Sequence, residues 1–424
     1  MNKIAVVGLG YVGLPLALLA EEKKFAVIGI DSNKDRLKKL AERKSVIDDE
    51  QASKRLKSSK ITFTSDFSLL KDRDIVLICV PTPVDKNKIP DLSLVKEAAL
   101  NAAVNMKEDS LLIIESTINP GVCDEILTPL IDARTSHTVG KSFHLAHCPE
   151  RINPGDPKWT VDNINRVVGA SDDRGLEAAY KFYSKLIDAK VKKMGSLKEA
   201  EAVKIVENTF RDINIAFVNE LAMSFTNLGI NVMNVIDGAA TKPFAFLPHY
   251  PGIGIGGHCI PVDPYYLIEY ARGNGFEHEF LTLARSINES MPEYAVEALE
   301  KTYMEKVKKS LKNTRVIVLG ISYKPNIGDD RESPAYQVID SLKDKGAEVH
   351  TYDPYMLEKS SLKDLGGSLN SYDIAVLVTA HDKFKNFSPD DFMGVKLVYD
   401  GRNIYSGFKE ELEKLGVSYM SIAG

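Results

Sequence analysis

The feature that most constrains the fold is a glycine motif near the start of the chain. Gly8-Leu9-Gly10-Tyr11-Val12-Gly13 fits the pattern G-x-G-x-x-G, directly after the apolar segment Ile4–Val7 and before the helix-like segment Leu14–Lys24. The first glycine permits a tight turn, the second lets the backbone approach a pyrophosphate, and the third permits close packing of helix on strand. The N-terminus of the helix then attracts phosphate through unpaired N–H groups. The motif therefore predicts a Rossmann domain that binds a dinucleotide.

An acidic residue indicates which dinucleotide binds. Asp31 comes directly after the next strand-like segment, Ala26–Ile30, and lies 18 residues after Gly13. A carboxylate at this place accepts hydrogen bonds from the adenosine ribose hydroxyls and repels a 2′-phosphate. We therefore expect NAD rather than NADP as the cofactor.

A second glycine motif has a different meaning. Gly252-Ile253-Gly254-Ile255-Gly256-Gly257 also fits G-x-G-x-x-G, but it is followed by His258-Cys259-Ile260-Pro261-Val262-Asp263-Pro264. Two prolines here oppose a helix that directly follows the glycines. This segment is better interpreted as a loop of close approach that presents Cys259.

The remaining pattern predicts an α/β protein in three parts. Short apolar segments that alternate with helical ones (Ile4–Val7, Ala26–Ile30, Ile75–Val80 and Leu111–Ile114) predict a parallel sheet covered on both faces. A helix with no Pro or Gly is expected from Leu197 to Leu228, and a second α/β pattern starts at Arg315. We expect an N-terminal Rossmann domain (1–196), a central long-helix domain (197–311) and a C-terminal Rossmann-like α/β domain (312–424). The length and apolar content of the long helix favour a homodimer or a higher homo-oligomer built on it.

Composition excludes several classes of protein. The chain has 424 residues, 44% of them hydrophobic, and a formal net charge of -5, which gives no electrostatic argument for nucleic acid or an anionic membrane. We expect no signal peptide and no membrane span. The four cysteines (Cys79, Cys123, Cys148 and Cys259) show no C-x-x-C or metal-type spacing, so we expect no metal and a cytoplasmic protein with reduced thiols.

One thiol stands out as a candidate nucleophile. Cys259 lies between flexible glycines and a rigid proline-containing stretch, Asp263 is four residues further on, and Lys204 and Asn208 are spaced i, i+4 on the long helix. A thiolate, a lysine and a carboxylate can together carry acyl chemistry. Each signal alone is weak, because an isolated cysteine is usually structural. His258 is interpreted as structural, since adjacent side chains diverge.

The motifs taken in order resemble the UDP-glucose/GDP-mannose dehydrogenase family over essentially the whole chain. The matching segments are Val80-Pro81-Thr82-Pro83, Glu115–Gly121, Cys148-Pro149-Glu150-Arg151, the helix with Lys204 and Asn208, Gly256–Asp263, Gly320–Asn326 and Asp330–Ser333. The resemblance implies a cofactor site made of Gly8, Gly10, Tyr11, Val12, Gly13, Asp31, Arg36, Thr82 and Thr117. It implies a UDP-sugar site made of Glu150, Arg151, Lys204, Asn208, Gly256, Lys324 and Arg331.

The resemblance also implies a mechanism with two oxidations. Hydride passes from C6 of the sugar to NAD, Cys259 adds to the aldehyde, a second hydride transfer leaves a thioester, and water releases the carboxylate. Lys204 and Asn208 would stabilise the oxyanion, and Asp263 and Thr117 would position water and protons. Glu150 would assist thioester hydrolysis.

One departure from the family pattern bears on the substrate. Members that act on UDP-glucose carry a second glutamate four residues after the first, where this chain has Pro154. This form resembles the branch that acts on UDP-N-acetylhexosamines, and the segment Thr241–Gly252 indicates the same branch. Arg151 and Asn153 are polar groups suited to contact an acetamido substituent, and the aromatic segment Thr241–Tyr250 is suited to pack against the acetyl methyl group. The expected substrate is UDP-N-acetylglucosamine, for cell-surface polysaccharide precursors, with the manno and galacto epimers as alternatives.

Two more distant alternatives remain open. A hydroxy-acid or 6-phosphogluconate-like dehydrogenase would use Lys204 and Asn208 as its acid–base pair and would make one NADH per turnover. A nucleotide-sensing protein without activity would need no thiol, so the set of Cys259, Lys204 and Asp263 argues against it.

Overall fold

The computed structural model describes residues 3–47, 49–85, 89–152, 158–366 and 369–424. The chain falls into two compact units. The first consists of Met1–Glu207 with Tyr265–Gly275, and the second of Asn208–Pro264 with Phe276–Gly424. Among the described residues, no helix is long and apolar enough to cross a membrane.

The first unit is built on an eight-stranded sheet in the order β3-β2-β1-β4-β5-β6-β7-β8. Its strands are β1 (Lys3–Val7), β2 (Ala26–Ile30), β3 (Thr62–Thr64), β4 (Ile75–Ile78), β5 (Leu111–Ile114), β6 (His144–His147), β7 (Arg166–Ala170) and β8 (Val191–Lys193). Strands β6 and β7 pair antiparallel, and every other neighbouring pair is parallel. This confirms the predicted N-terminal parallel sheet.

Helices cover both faces of this sheet, as the sequence predicts. Its helices are α1 (Gly13–Glu22), α2 (Lys34–Ala41), α3 (Glu50–Ser58), α4 (Ser93–Asn105), α5 (Thr128–Arg134) and α6 (Asp173–Leu186). One face packs against α1 and α6, and the other packs against α4. Strands β4 and β5 are therefore buried at every position, which explains their unbroken Ile, Val and Leu sequences.

The long helix α7 runs from Leu197 to Leu228, as predicted, and the boundary between the two units falls within it at Glu207. It is followed by α8 (Val232–Ala240), α9 (Asp263–Gly273) and α10 (Glu279–Val307). Helix α9 begins six residues after Gly257, with Pro264 in its first turn, where a missing N–H has no cost. Helix α10 contains Pro292 in its interior.

The second unit contains a parallel five-stranded sheet in the order β10-β9-β11-β12-β13. Its strands are β9 (Arg315–Leu319), β10 (Glu348–Tyr352), β11 (Ile374–Leu377), β12 (Leu397–Asp400) and β13 (Ser418–Ser421). Its helices after α10 are α11 (Pro334–Asp344), α12 (Asp382–Lys385) and α13 (Lys409–Lys414). The interior of α10 packs on one face of this sheet together with α11. The predicted C-terminal Rossmann-like fold is thereby confirmed.

Candidate functional site

The N-terminal glycine motif forms the expected turn between β1 and α1. Gly8 has a φ of +91°, and a Cβ there would lie 2.7 Å from the backbone oxygen of Cys79. A Cβ on Gly13 would lie 1.9 Å from the oxygen of Gly8, so only glycine fits. At Gly10, by contrast, no heavy atom lies within 4 Å. Because Val12 provides no side-chain cap for α1, the helix N-terminus has N–H groups for a pyrophosphate.

Asp31 is buried at the end of β2, where it ties the glycine turn to the neighbouring strand. Its carboxylate accepts hydrogen bonds from the backbone N–H of Leu9 (2.8 Å) and of Asn33 (2.9 Å), and from Nη1 of Arg36 (2.9 Å). A carboxylate has about four lone-pair sites, so these three bonds leave capacity for a ribose hydroxyl. The glycine turn, the uncapped helix and Asp31 therefore fit a dinucleotide.

The predicted residues of the first unit follow adjacent strands at the carboxyl edge of the sheet. Thr82 lies beyond β4, Thr117 beyond β5 and Glu150 beyond β6. Ligands of open α/β sheets bind at this edge. The backbone oxygen of Thr82 accepts a hydrogen bond from the Tyr266 hydroxyl at 2.6 Å. Ser116 fixes the loop of Thr117 by donating to the oxygen of Val80 at 2.7 Å.

The first part of helix α7 also contacts the loops at the carboxyl edge of the first sheet. The buried Glu201 accepts hydrogen bonds from the backbone N–H of Gly121 (2.6 Å) and of Cys123 (2.8 Å), just beyond the Thr117 loop. One turn later comes Lys204, whose positive charge acts on His147 at the end of β6. The pKa of His147 is lowered to about 3, first by burial and then by Lys204. His147 is therefore neutral, and Lys204 provides a positive charge beside the Glu150 loop.

Glu150 and Arg151 are held by neighbours within the first unit. The Glu150 carboxylate is buried and accepts a hydrogen bond from the N–H of Ile152. Arg151 forms an ion pair with Glu207 on α7, its Nε lying 3.0 Å from Oε2. Asn153 and Pro154, which the substrate prediction uses, lie outside the described residues.

The sequence motifs do not reveal a buried ionic cluster at the end of β5. Glu115, directly after β5, contacts Arg166 on β7 (3.2 Å) and the hydroxyl of Tyr183 on α6 (2.5 Å). Burial raises the pKa of Glu115, and Arg166 and Tyr183 offset part of this effect. The partners are 51 and 68 residues away along the chain, so no local pattern could reveal them. The cluster fixes the strand ends from which Thr117 and Glu150 project.

The second unit carries the proposed nucleophile on a closely packed loop. Gly254 and Gly257 both have a φ of +89°, and a Cβ on Gly256 would lie 2.7 Å from Cβ of Tyr323. The N–H of Gly257 donates to the backbone oxygen of Arg331 at 2.9 Å. The loop is thus one of close approach, packed against the segment after β9 that contains Lys324. Cys259 is only partly buried, and its backbone oxygen accepts the N–H of Asp263, the first residue of α9, at 2.8 Å.

Two of the predicted catalytic residues contact each other in this unit. Nδ2 of Asn208 on α7 lies 2.5 Å from Oδ2 of Asp263, and both side chains are buried. Arg211 donates to Oδ1 of Asn208. These two hydrogen bonds orient the Asn208 amide. They also hold the carboxylate of Asp263, which follows Cys259 by four residues.

Arg331 supplies positive charge near the thiol. Its guanidinium interacts electrostatically with Cys259 and is oriented by Asp329, whose Oδ2 lies 2.6 Å from Nη2. The pKa of Arg331 is raised, chiefly by this hydrogen bond, so the group stays charged. A nearby cation favours the thiolate form of cysteine.

Two further residues of the loop's surroundings were not predicted. Tyr323 packs against Gly256 and Gly257, and Nη1 of Arg402 would lie 2.5 Å from a Cβ on Gly252. The packing of these glycines against the ring of Tyr323 is a tertiary contact, so the spacing of the glycines in the sequence does not predict it. No group of three His, Cys, Asp or Glu side chains that could hold a metal ion occurs among the described residues.

Comparison with known proteins identifies the family over most of the chain. Three domains of the UDP-glucose/GDP-mannose dehydrogenase family match this chain: the NAD-binding domain at residues 2–187, the central domain at 198–290 and the UDP-binding domain at 317–407. The UDP-N-acetyl-D-glucosamine 6-dehydrogenase of Pseudomonas aeruginosa is 34% identical over 395 residues, which is 92% of this chain and 93% of that protein. The chain belongs to the UDP-glucose/GDP-mannose dehydrogenase family.

Relatives with a different substrate name are equally similar. The UDP-N-acetyl-D-mannosamine dehydrogenase of Methanocaldococcus jannaschii is 34% identical over 426 residues, covering 98% of this chain and 95% of that one. The structure of UDP-D-ManNAc dehydrogenase from Pyrococcus horikoshii superposes with a TM-score of 0.91 at 34% identity, over 99% of each chain. As a member of this family of NAD-dependent UDP-sugar dehydrogenases, the chain uses NAD and contains a UDP-binding domain. The boundaries predicted at 196/197 and 311/312 stay predictions.

Proposed function

We propose that this enzyme oxidises C6 of UDP-N-acetylglucosamine to the carboxylate in two NAD-dependent steps, through a covalent adduct on Cys259, for a cell-surface polysaccharide precursor. The observation that carries the proposal is the surroundings of Cys259. A partly exposed thiol lies at the end of a tightly packed glycine loop, with the charge of Arg331 acting on it and with Asp263 held by Asn208. A hydroxy-acid dehydrogenase needs none of these features around a cysteine.

Each residue takes a role that its chemistry permits. Bound NAD supplies a hydride acceptor. Arg331 favours the Cys259 thiolate, which attacks the aldehyde carbon and forms a thiohemiacetal. Lys204 and the Asn208 amide are donors suited to stabilise the developing oxyanion. Asp263 and Thr117 position water and protons, and Glu150 assists thioester hydrolysis as a general base.

The substrate assignment rests on the region of the acetamido group. The segment Thr241–Tyr250 exposes Phe244 and Tyr250, which are apolar surfaces suited to an acetyl methyl group. Lys324 and Arg331 suit the charge of the uridine diphosphate. Relatives named for UDP-N-acetylglucosamine and for UDP-N-acetylmannosamine are equally similar, so the manno epimer is the second candidate.

A substrate panel tests this assignment. We expect kcat/KM to be highest for UDP-N-acetylglucosamine among UDP-glucose and the gluco, galacto and manno UDP-N-acetylhexosamines. The preference over UDP-glucose is on the order of 10⁴-fold if the site hydrogen-bonds the acetamido group, but about 10–200-fold if the contact is only apolar. Highest efficiency with UDP-glucose would contradict the branch assignment. Highest efficiency with the manno form would replace the substrate and keep the chemistry.

We also propose that the enzyme is a homodimer, or a multiple of one, built on α7. Phe210 and Phe217 on this helix are about half exposed and line a groove of about 430 Å³ with Phe246 and Leu247. Aromatic surface of this kind is typical of a subunit interface.

Light scattering of the purified protein at micromolar concentration is expected to show a dimer or a multiple of it. Phe217→Asp is expected to shift the mass to that of the monomer, because it places a charge in the apolar interface. Val104→Asp, which places the same charge at an exposed apolar position on α4, is the matched control and is expected to leave the mass unchanged. A stable monomer of the unaltered chain would contradict the proposal.

A further inference from the structure

A network of buried polar side chains joins the two long helices of the second unit to the glycine loop at Gly252–Gly257. Asp212 and Asn219 lie on α7, and Arg285 and Asn288 lie on α10. All four are almost completely buried. Buried polar groups are costly unless they are hydrogen-bonded, so a connected set of this size in a helix interface requires an explanation.

From Gly252 to Asp212, each group of this network donates a hydrogen bond to the next. The backbone N–H of Gly252 donates to Oδ1 of Asn219 (3.0 Å), and Nδ2 of Asn219 donates to Oδ1 of Asn288 (2.9 Å). Nδ2 of Asn288 in turn donates to both the backbone oxygen and Oδ1 of Asp212, each at 2.9 Å.

Arg285 fixes the far end, with Nη1 at 2.6 Å from Oδ1 of Asp212. The backbone oxygen of Asp212 and its ionised carboxylate are acceptors and cannot donate. The amides of Asn288 and Asn219 therefore each have one defined orientation. The carboxylate on α7 thereby determines how Asn219 presents its oxygen to Gly252.

Gly252 begins the loop that ends at Cys259. This loop is closely packed along its length. The N–H of Gly254 bonds back to the oxygen of Gly252 at 2.8 Å. A Cβ on Gly254 would lie 3.3 Å from the ring of Pro292, one turn beyond Asn288 on α10, and Gly256 and Gly257 are packed against Tyr323. A displacement at Gly252 must therefore be transmitted along the loop.

We propose that Asn219 and Asn288 are positioning residues for the nucleophile: they fix Gly252 and thereby the place of the Cys259 thiol. Asn208 holds the other end of the segment through Asp263. The inference rests on the proposed function, because its consequence is the capture of the aldehyde. Without this anchor, the first oxidation continues, but aldehyde leaves before the thiol adds to it.

The variant Asn219→Ala tests this role, with Asn227→Ala as the matched control two turns further along the same helix. Asn227 is exposed, and its side-chain amide donates to the backbone oxygen of Met223 in its own helix. With the UDP-N-acetylhexosamine that the native enzyme uses best, acid formation by Asn219→Ala is expected to fall about 10²-fold, the effect of a nucleophile misplaced by about 1 Å. NADH formed per sugar falls from two towards one, and free aldehyde accumulates and is trapped by a hydrazine. The Asn227→Ala enzyme behaves as the native one.

A second measurement does not depend on activity. The rate of Cys259 alkylation by iodoacetamide, followed by peptide mass spectrometry on the folded protein, is expected to change in Asn219→Ala and in Asn288→Ala but not in Asn227→Ala. If the native enzyme oxidises no UDP-sugar, the proposed function fails, and the alkylation rates still decide the positioning role.

Two results would overturn the positioning role. One is slower turnover of Asn219→Ala with two NADH per sugar, no trapped aldehyde and an unchanged alkylation rate, which is the behaviour of a residue that only stabilises the fold. The other comes from hydrogen exchange of the native protein and needs no variant to fold. The Gly252 amide is expected to exchange as slowly as the amides in the interior of α10, so exchange at the rate of an open loop would overturn the role.

Discussion

Replacement of Cys259 by serine is expected to reduce acid formation by about 10⁴-fold or more, the scale seen when a covalent nucleophile is removed. A serine hydroxyl has no thiolate form for Arg331 to favour, so neither the thiohemiacetal nor the thioester forms. NAD binding is expected to stay close to native, because Gly8, Gly13 and Asp31 belong to the other unit. Steady-state kinetics and NAD titration measure the two effects separately.

The control for this variant is Cys123→Ser. Cys123 is buried, and burial raises the pKa of its thiol well above the usual range, so it is an unreactive thiol. Serine keeps a donor towards Glu201, and most of the activity should remain. Unchanged turnover in Cys259→Ser, or a trapped covalent sugar adduct in Cys259→Ala, would contradict the covalent mechanism.

The variant Arg166→Met is expected to lower the free energy of unfolding by about 3–5 kcal/mol at pH 7, because it leaves Glu115 buried without its counter-charge. Urea denaturation measures this loss. Lys54→Met, which breaks the fully exposed i, i+4 pair with Glu50, is the control and should leave the free energy of unfolding nearly unchanged.

The loss in Arg166→Met should depend on pH with a defined sign. Burial already raises the pKa of Glu115 in the folded protein, and removal of Arg166 raises it further. The unfolded chain therefore releases the proton first, near the free glutamate pKa of about 4.3, and stability falls as the pH rises above that value. The penalty should be smaller at pH 5 than at pH 7. An equal penalty at both values, or one as small as that of Lys54→Met, would contradict the account.

Local sequence rules predicted the parts of the fold that depend on local patterns. The bounds of β2, β5 and α7 agree with the structure residue for residue. Apolar residues mark the two strands, and the absence of Gly and Pro over 197–228 marks the helix. The turn at Gly8–Gly13 was predictable because close contacts at its first and last residues, Gly8 and Gly13, allow only glycine.

The elements that were missed depend on tertiary context. Strands β3 and β8 have three residues each, and β6 is His-Leu-Ala-His, so neither length nor β-branched content marks them as strands. Their place is determined by pairing with neighbours in the sheet. In the same way, Glu115 with Arg166, and Asn219 with Asn288, are contacts between residues 51 and 69 positions apart, which no periodicity in the sequence encodes.

The most direct test of the central claim is the amount of NADH formed from a limiting amount of sugar. With excess NAD and a known small quantity of UDP-N-acetylglucosamine, absorbance should rise to two NADH per sugar, with the uronic acid as the only sugar product. That result requires the aldehyde to be captured and oxidised again at Cys259. An end point of one NADH per sugar, with aldehyde or ketone as the product, would show a single-step dehydrogenase and contradict the covalent mechanism.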